Sequence, residues 1–411
     1  VDQSCDQTAE RIAEGLGFSC RHADPVVTFR DPFSLANGTM PVLELLIIGG
    51  AVFALVHARR RWRHDGDPVN LTLWFASVAY LAVIEPPLYF PGWFGLDKQV
   101  GFIFSHNVFT VQLMYDRLPL YIVAFYPALS QLAYELVRAL DVFVRRGAVA
   151  GALAVAFVCQ VFYEVFDQLG PQLRWWAWNP GDTKVNQPAL ASVPMNSMFL
   201  FASVSFGALA YLVVRLCGSG GGTGAATGAT TEARTGARTG ARTGARTGAR
   251  TGAGIAWRSV AAGPLAPLAM VVAGAPAGLF QGGGHLGVQR AIIGVELGVV
   301  WVIGLCLLTD AWRASRTGPM VPMPLMPSPT FARTYPPFYL GVLMALWLIA
   351  LPDYLASSGG LTKQGAPIGS LWYSTLCAAA AAGVILAARR ATASSPATSS
   401  PAASSPPASS S

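Results

Sequence analysis

Nine apolar stretches, at about 41–57, 69–88, 118–138, 148–167, 194–215, 259–280, 291–309, 336–355 and 369–388, restrict this chain more than any other feature. Each is close to the ~20 residues an α-helix needs to cross about 30 Å of hydrocarbon. A backbone in lipid must satisfy its N–H and C=O groups within its own segment, so every stretch is expected to be helical. Composition agrees. Of 411 residues 53% are hydrophobic and 12% charged, about half the charge of a soluble domain. The expected fold class is all-α, a polytopic transmembrane bundle of about nine spans. The net charge of +7 does not mark a nucleic-acid surface, because the basic residues flank apolar runs. Membrane lipids are the expected partners, and the sequence leaves the oligomeric state open.

Lys and Arg set the expected orientation. Arg59, Arg60, Arg61 and Arg63 follow the first span. Arg138, Arg145 and Arg146 follow the third, and Arg215, the repeat arginines and Arg258 lie between the fifth and sixth. Arg313, Arg316 and Arg333 separate the seventh from the eighth, and Arg389 and Arg390 close the ninth. Of 28 Lys and Arg residues, 19 then fall on one side and 9 on the other. This predicts an N-terminus outside and a cytoplasmic C-terminus. Residues 99–115, "QVGFIFSHNVFTVQLMY", are fairly apolar but carry Ser105, His106, Asn107 and Gln112. Counting them as a span would invert Arg145 and Arg146, so they read as a re-entrant or interfacial piece on the outer face.

The chain divides into an extracytoplasmic arm (1–40), a five-helix segment (41–217), a linker (218–254), a four-helix segment (255–390) and a tail (391–411). The linker repeats Thr-Gly-Ala-Arg. Neither it nor the Ser-Pro-Ala tail holds the large apolar residues that a core requires, so both are expected to be disordered. No apolar leader core precedes residue 41. The initial Val reads as a GTG start in a GC-rich bacterium, with a misplaced gene start as the competing reading, and points to a bacterial inner membrane. Asn37-Gly38-Thr39 is a glycosylation sequon without meaning in most bacteria. Cys159, Cys217, Cys306 and Cys377 lie in or beside apolar runs and read as packing residues. Cys5 and Cys20 share the polar arm, where a disulfide and two free thiols are both open readings.

Acids inside a membrane are costly and concentrate at functional sites. Here Glu85, Asp116, the pair Glu164 and Asp167, Glu296 and Asp353 lie toward one level, the outer leaflet. Glu164 and Asp167 are three apart and are expected to share a helix face. Like charges that close do not both ionise easily, so one is expected to keep its proton and serve as a general acid. Pairing with Arg174 or Arg117, or headgroup water, is the plainer alternative. Trp175, Trp176 and Trp178 follow at once. With Trp93 they read either as an interfacial belt or as an aromatic wall able to stabilise a cation. His22, His106 and His285 show no ligand spacing, so no metal is expected. The Walker, Rossmann, Gly-x-Ser-x-Gly and His-Glu-x-x-His patterns are absent, and no cofactor is expected.

Residues 115–211 carry "DRLPLYIVAFYPALSQLAYE", then "FDQLGPQLRWWAWNPGD", then "VPMNSMFLF". This order resembles the polytopic carotenoid-biosynthesis membrane proteins that include carotenoid hydratases, and is similar to other multi-span families with an Asp…Trp-Trp…Val-Pro layout. The resemblance implies Asp167, Trp176, Trp178 and Asn196 as pocket residues. After Val-Pro-x-Asn, Ser197-Met198-Phe199 departs from the family's aromatic and glycine surroundings. The leading expectation is a membrane-embedded enzyme acting on an isoprenoid or carotenoid-like lipid. Asp167 or Glu164 is the expected acid, and Trp176, Trp178, Asn196, Glu85, Asp116 and Glu296 are expected to line the pocket. The alternatives are a proton-coupled or passive transporter, with Pro127, Pro264, Pro267 and Pro276 breaking helices around a midplane site, and a non-catalytic scaffold.

Overall fold

The computed structural model describes residues 5–218, 251–317 and 330–393, apart from 32, 34, 97, 282 and 283. Most of the repeat linker and of the tail therefore lies outside the described residues. A short helix, α1 (Gln7–Gly15), precedes the long ones: α2 (Met40–Arg60), α3 (Val69–Tyr89), α4 (Leu120–Ala139), α5 (Val142–Asp167), α6 (Ser197–Leu216), α7 (Gly252–Gly278), α8 (Leu286–Thr317), α9 (Thr330–Leu355) and α10 (Leu371–Ala393). Among the described residues, nine helices are long and apolar enough to cross a membrane, and they coincide with the nine stretches read from the sequence. The chain is thus a helical membrane protein.

Burial ranks the helices. The most apolar windows of α4 and α5 are 89% and 78% buried, whereas those of α7 and α8 are only 28% and 22% buried. The bundle therefore has α4 and α5 at its centre, and α7 and α8 leave most of their surface to lipid. Small residues permit the close helix contacts that replace hydrophobic driving force in lipid. A Cβ on Gly263 of α7 would stand 2.6 Å from Ala79 Cβ and 2.9 Å from the Ala76 carbonyl oxygen of α3. On Gly207 of α6 it would stand 2.8 Å from Ala156 Cβ of α5. Pro127, Pro264, Pro267 and Pro276 all lie inside unbroken helices, so the interrupted helices expected of a midplane transport site are not formed there.

Two polar assemblies close the ends of this core. At one end, Glu135 on α4 takes a two-pronged contact from Arg138 (3.0 and 2.9 Å). It also accepts from Asn70 of α3 at 2.8 Å and lies 3.4 Å from His57 of α2. This ties three helices together and gives Glu135 a structural place.

At the other end the connections fold into a cap. Strands β1 (Val27–Phe29), β3 (Val111–Leu113) and β4 (Leu118–Pro119) form one sheet. Strands β2 (Phe104–His106) and β5 (Trp176–Trp178) form a second, and β6 (Ala189–Leu190) and β7 (Val193–Pro194) a third, all antiparallel. Residues 99–115 are thus short strands of this cap rather than a helix entering the membrane. Their polar residues explain why: Gln112 and Asn107 are spent on backbone carbonyls of the cap. The cap is fastened to the bundle by Glu44 of α2, whose carboxylate accepts from Thr110 N (3.1 Å) and Thr110 Oγ1 (2.6 Å). The arm joins it too. Cys5 and Cys20 form a disulfide with Cα atoms 5.8 Å apart, and Cys5, Cys20, Ala9 and Ala13 pack with Phe102 at the foot of β2.

Candidate functional site: a capped aromatic cavity

The helices α3 and α5 end, and α4 and α6 begin, beneath the cap. Between them lies a narrow cavity of about 60 Å³, room for a few water molecules. Its roof follows from strand periodicity. Alternate residues of a strand point to one face, and the register pairs Phe104 with Trp178 and His106 with Trp176. One face of the β2–β5 ribbon therefore presents four rings over the cavity. Their centroids lie 5.2 Å apart for Phe104 and Trp178, 4.8 Å for Phe104 and His106, and 6.2 Å for His106 and Trp176. Asn186 pins the ribbon's edge, its amide donating to the carbonyls of Ile103 (2.7 Å) and Asn179 (2.9 Å).

The floor carries two carboxyls from different helices. Asp167, 2% exposed at the end of α5, accepts from Ser197 Oγ at 3.1 Å. Glu85, near the end of α3, accepts the Tyr126 hydroxyl of α4. Phe125, Phe166 and Phe201 supply much of the apolar wall. Gly170 matters here because a methyl at that position would overlap the Trp176 indole; only a glycine lets the ring lie flat against this turn.

Four of the eight residues expected from the sequence meet in this cavity: Asp167, Glu85, Trp176 and Trp178. The other four do not. Glu164 is fully buried but belongs to the seam between α5 and α10. Its Oε2 accepts from Gln168 Nε2 at 3.1 Å, and Gln168 Oε1 accepts the Ser370 amide at 2.7 Å. Three residues turn a helix by about 300°, which leaves the two acids some 60° apart, enough here to send them to different neighbours. Asp116 sits in the cap, 3.7 Å from Arg30. Asn196 donates to the Val185 carbonyl at 3.0 Å and so positions the loop bearing Val185, which lines the cavity. Its successor Ser197 is the one that touches Asp167. Glu296 is half-buried on α8, a helix with no part in the cavity wall. The four tryptophans differ in their surroundings. Trp176, buried, and Trp178, half-buried, line the cavity; Trp175 is buried outside the lining and donates to Thr39 Oγ1 at 2.9 Å; Trp93 is 61% exposed.

His106, weighed from the sequence only as a metal ligand, also lines the cavity. It is 7% exposed, and neither ring nitrogen has a hydrogen-bond partner. Burial first, and the nearby Arg30 charge second, push its pKa down to about 3, so the imidazole is neutral. Arg30 is itself pushed down by burial, to about 10, opposed by Asp116, and remains a cation. Asp116 is raised by burial, with Arg30 opposing. The signal for His106 was the matched pair of Phe-x-His and Trp-x-Trp alternations. Among the described residues, the cluster with metal-ligand chemistry is Cys5, Glu10 and Cys20, and its two sulfurs are bonded to each other, so it offers no thiolate.

No family model, no curated protein and no solved structure matches this chain. Fold and site together define a class: a polytopic helical membrane protein with a β-capped, aromatic-roofed cavity holding two carboxyls at one end of its bundle.

Proposed function

We propose that this is a membrane-embedded enzyme performing acid chemistry on an isoprenoid or carotenoid-like lipid. The observation that carries the reading is the meeting of Asp167 and Glu85 with the rings of Trp176 and Trp178 in one cavity. In the proposed step the Asp167 hydroxyl gives its proton to one carbon of a C=C bond. The electron pair of that double bond forms the new C–H bond, and the neighbouring carbon becomes a cation. The indole faces stabilise it. The cation is discharged by water, or by loss of an adjacent proton, and the released proton restores Asp167. Ser197, donating to Asp167, holds the carboxyl toward the cavity. Glu85, locked to Tyr126, is the nearby group able to take a proton from an attacking water.

The resemblance of residues 115–211 to carotenoid-biosynthesis membrane proteins supports this reading, since three of the four residues it implies line the cavity. The cap is taken as extracytoplasmic, in a bacterial inner membrane with the N-terminus outside. The Cys5–Cys20 disulfide supports that side, because such bonds persist in oxidising compartments, and the arginine asymmetry supports it independently. The test is lipid profiling of a deletion strain carrying either the wild-type gene or Asp167→Asn. The expected result is an isoprenoid that accumulates on deletion, is cleared by the wild type and persists with the variant. An isoprenoid profile identical in all strains refutes the proposal.

A further inference from the structure

We propose that the cavity recognises a neutral, oxygen-bearing end group, a hydroxyl or carbonyl on an isoprenoid chain, and not a phosphate or diphosphate ester. The inference rests on the cavity being the substrate site, and it names the chemistry that site selects. Two observations carry it. First, the indole N–H groups of Trp176 and Trp178 and both ring nitrogens of His106 have no hydrogen-bond partner, although all three side chains line the cavity roof. Trp176 is 97% and His106 93% buried. Buried polar groups are nearly always paired, and several orphans along one wall mark where a partner from outside binds. An indole offers only a donor, and a neutral imidazole offers one donor and one acceptor. A hydroxyl that accepts from both indoles and donates to the imidazole or to the orphaned Asn186 Oδ1 pairs three of these groups, and a carbonyl pairs two.

Second, among the described residues no Lys or Arg lines the cavity, and its carboxyls are those of Glu85 and Asp167. Buried phosphate recognition draws above all on cations, bidentate arginine foremost; α4 and α6 begin at this cavity, and their N-termini alone stand against its two carboxyls. A diphosphate placed between two carboxyls would meet repulsion or an unpaired buried charge. A pure hydrocarbon end would leave the roof's donors unpaired, an asymmetry that discriminates strongly in buried sites. At about 60 Å³ the partly open cavity is smaller than an isoprenoid end group, so half-buried lining side chains, Trp178 and Phe201 among them, shift when one binds.

The experiment is calorimetric titration of the full chain in lipid nanodiscs, with empty nanodiscs subtracted. Three ten-carbon probes are used: geraniol, the corresponding hydrocarbon 2,6-dimethylocta-2,6-diene, and geranyl diphosphate. The expected order is geraniol tighter than the hydrocarbon by about 3- to 10-fold, as one or two hydrogen bonds give, with geranyl diphosphate weakest. In Trp176→Phe/Trp178→Phe, which keeps both rings and removes both donors, geraniol falls to the hydrocarbon's affinity while the hydrocarbon is unchanged within about 2-fold. His106→Phe lowers geraniol binding in the same direction. Equal binding of geraniol and hydrocarbon by the wild type, tighter binding of the diphosphate, or no binding of any probe each overturns the inference. Failure of the enzyme reading is separate. A wild-type preference for geraniol beside an unchanged lipid profile in the Asp167→Asn strain keeps the ligand and removes the reaction. A changed profile with no preference does the reverse.

Discussion

Acidifying the medium should open the cap through His106. The imidazole titrates near 6.5 in an open, solvated chain, and in the closed cap burial and Arg30 push it down to about 3. Between those values the open state binds a proton that the closed state does not. Closed-state stability is therefore fully present above about pH 6.5 and falls as pH drops toward 3. At pH 5 the gap of 1.5 pH units is worth about 2 kcal/mol, a factor of ~30 in the opening equilibrium. The faces around the ring contribute few competing charges. Tyr89, Phe104, Tyr121 and Trp176 surround it, and Arg30, hydrogen-bonded to Asn107 at 3.3 Å and paired with Asp116, is the nearby cation. Asp116 works in the opposite sense, because burial favours its protonated form and acid then favours the closed cap. Amide hydrogen exchange over 104–106 and 176–178, corrected for intrinsic rates, is the assay. Protection should fall about 30-fold from pH 7.5 to pH 5 in the wild type and stay level, or rise, in His106→Phe. Arg30→Met should reduce the loss by removing one of its two causes. Equal protection at both pH values in the wild type, or the same loss in His106→Phe, would refute the reasoning.

Gly170→Ala places a methyl where the Trp176 indole lies. It should destabilise the protein by roughly 1–3 kcal/mol and abolish the geraniol preference by displacing the roof; unchanged thermal unfolding and binding would show that the indole has room to move. Gly263→Leu drives a side chain into Ala76 and Ala79 of α3. A loss of at least about 1–3 kcal/mol is expected, read as a lower unfolding temperature in detergent, whereas Gly287→Leu, at a position open on all sides, should leave that temperature unchanged.

The nine helices were legible because lipid imposes a length and forbids polar interruption, and both leave marks in a single segment. The capped cavity was half legible for the same reason. Asp167 and Glu85 stood out as acids in apolar runs, and Trp176 and Trp178 as indoles beside one of them. What could not be read was the rotation of a helix against its neighbours. Glu164 and Asp167 look equivalent at a spacing of three, and only the packing of α10 against α5 claims one for a seam and leaves the other at a cavity. His106 was hidden differently. Its stretch looked like a failed span, and its role depends on pairing with a strand 70 residues later, a non-local relation that no window along the chain reveals.

Every residue lining the cavity lies between Glu85 and Phe201, ahead of the Thr-Gly-Ala-Arg repeats. Such a tract gains and loses units readily when DNA is copied, and each change alters the tether without shifting the numbering of a single working side chain relative to another. The later four helices reach the earlier five through noncovalent contact, the Gly263 crossing foremost. A gene split within the tract should accordingly yield two polypeptides that find each other in the bilayer.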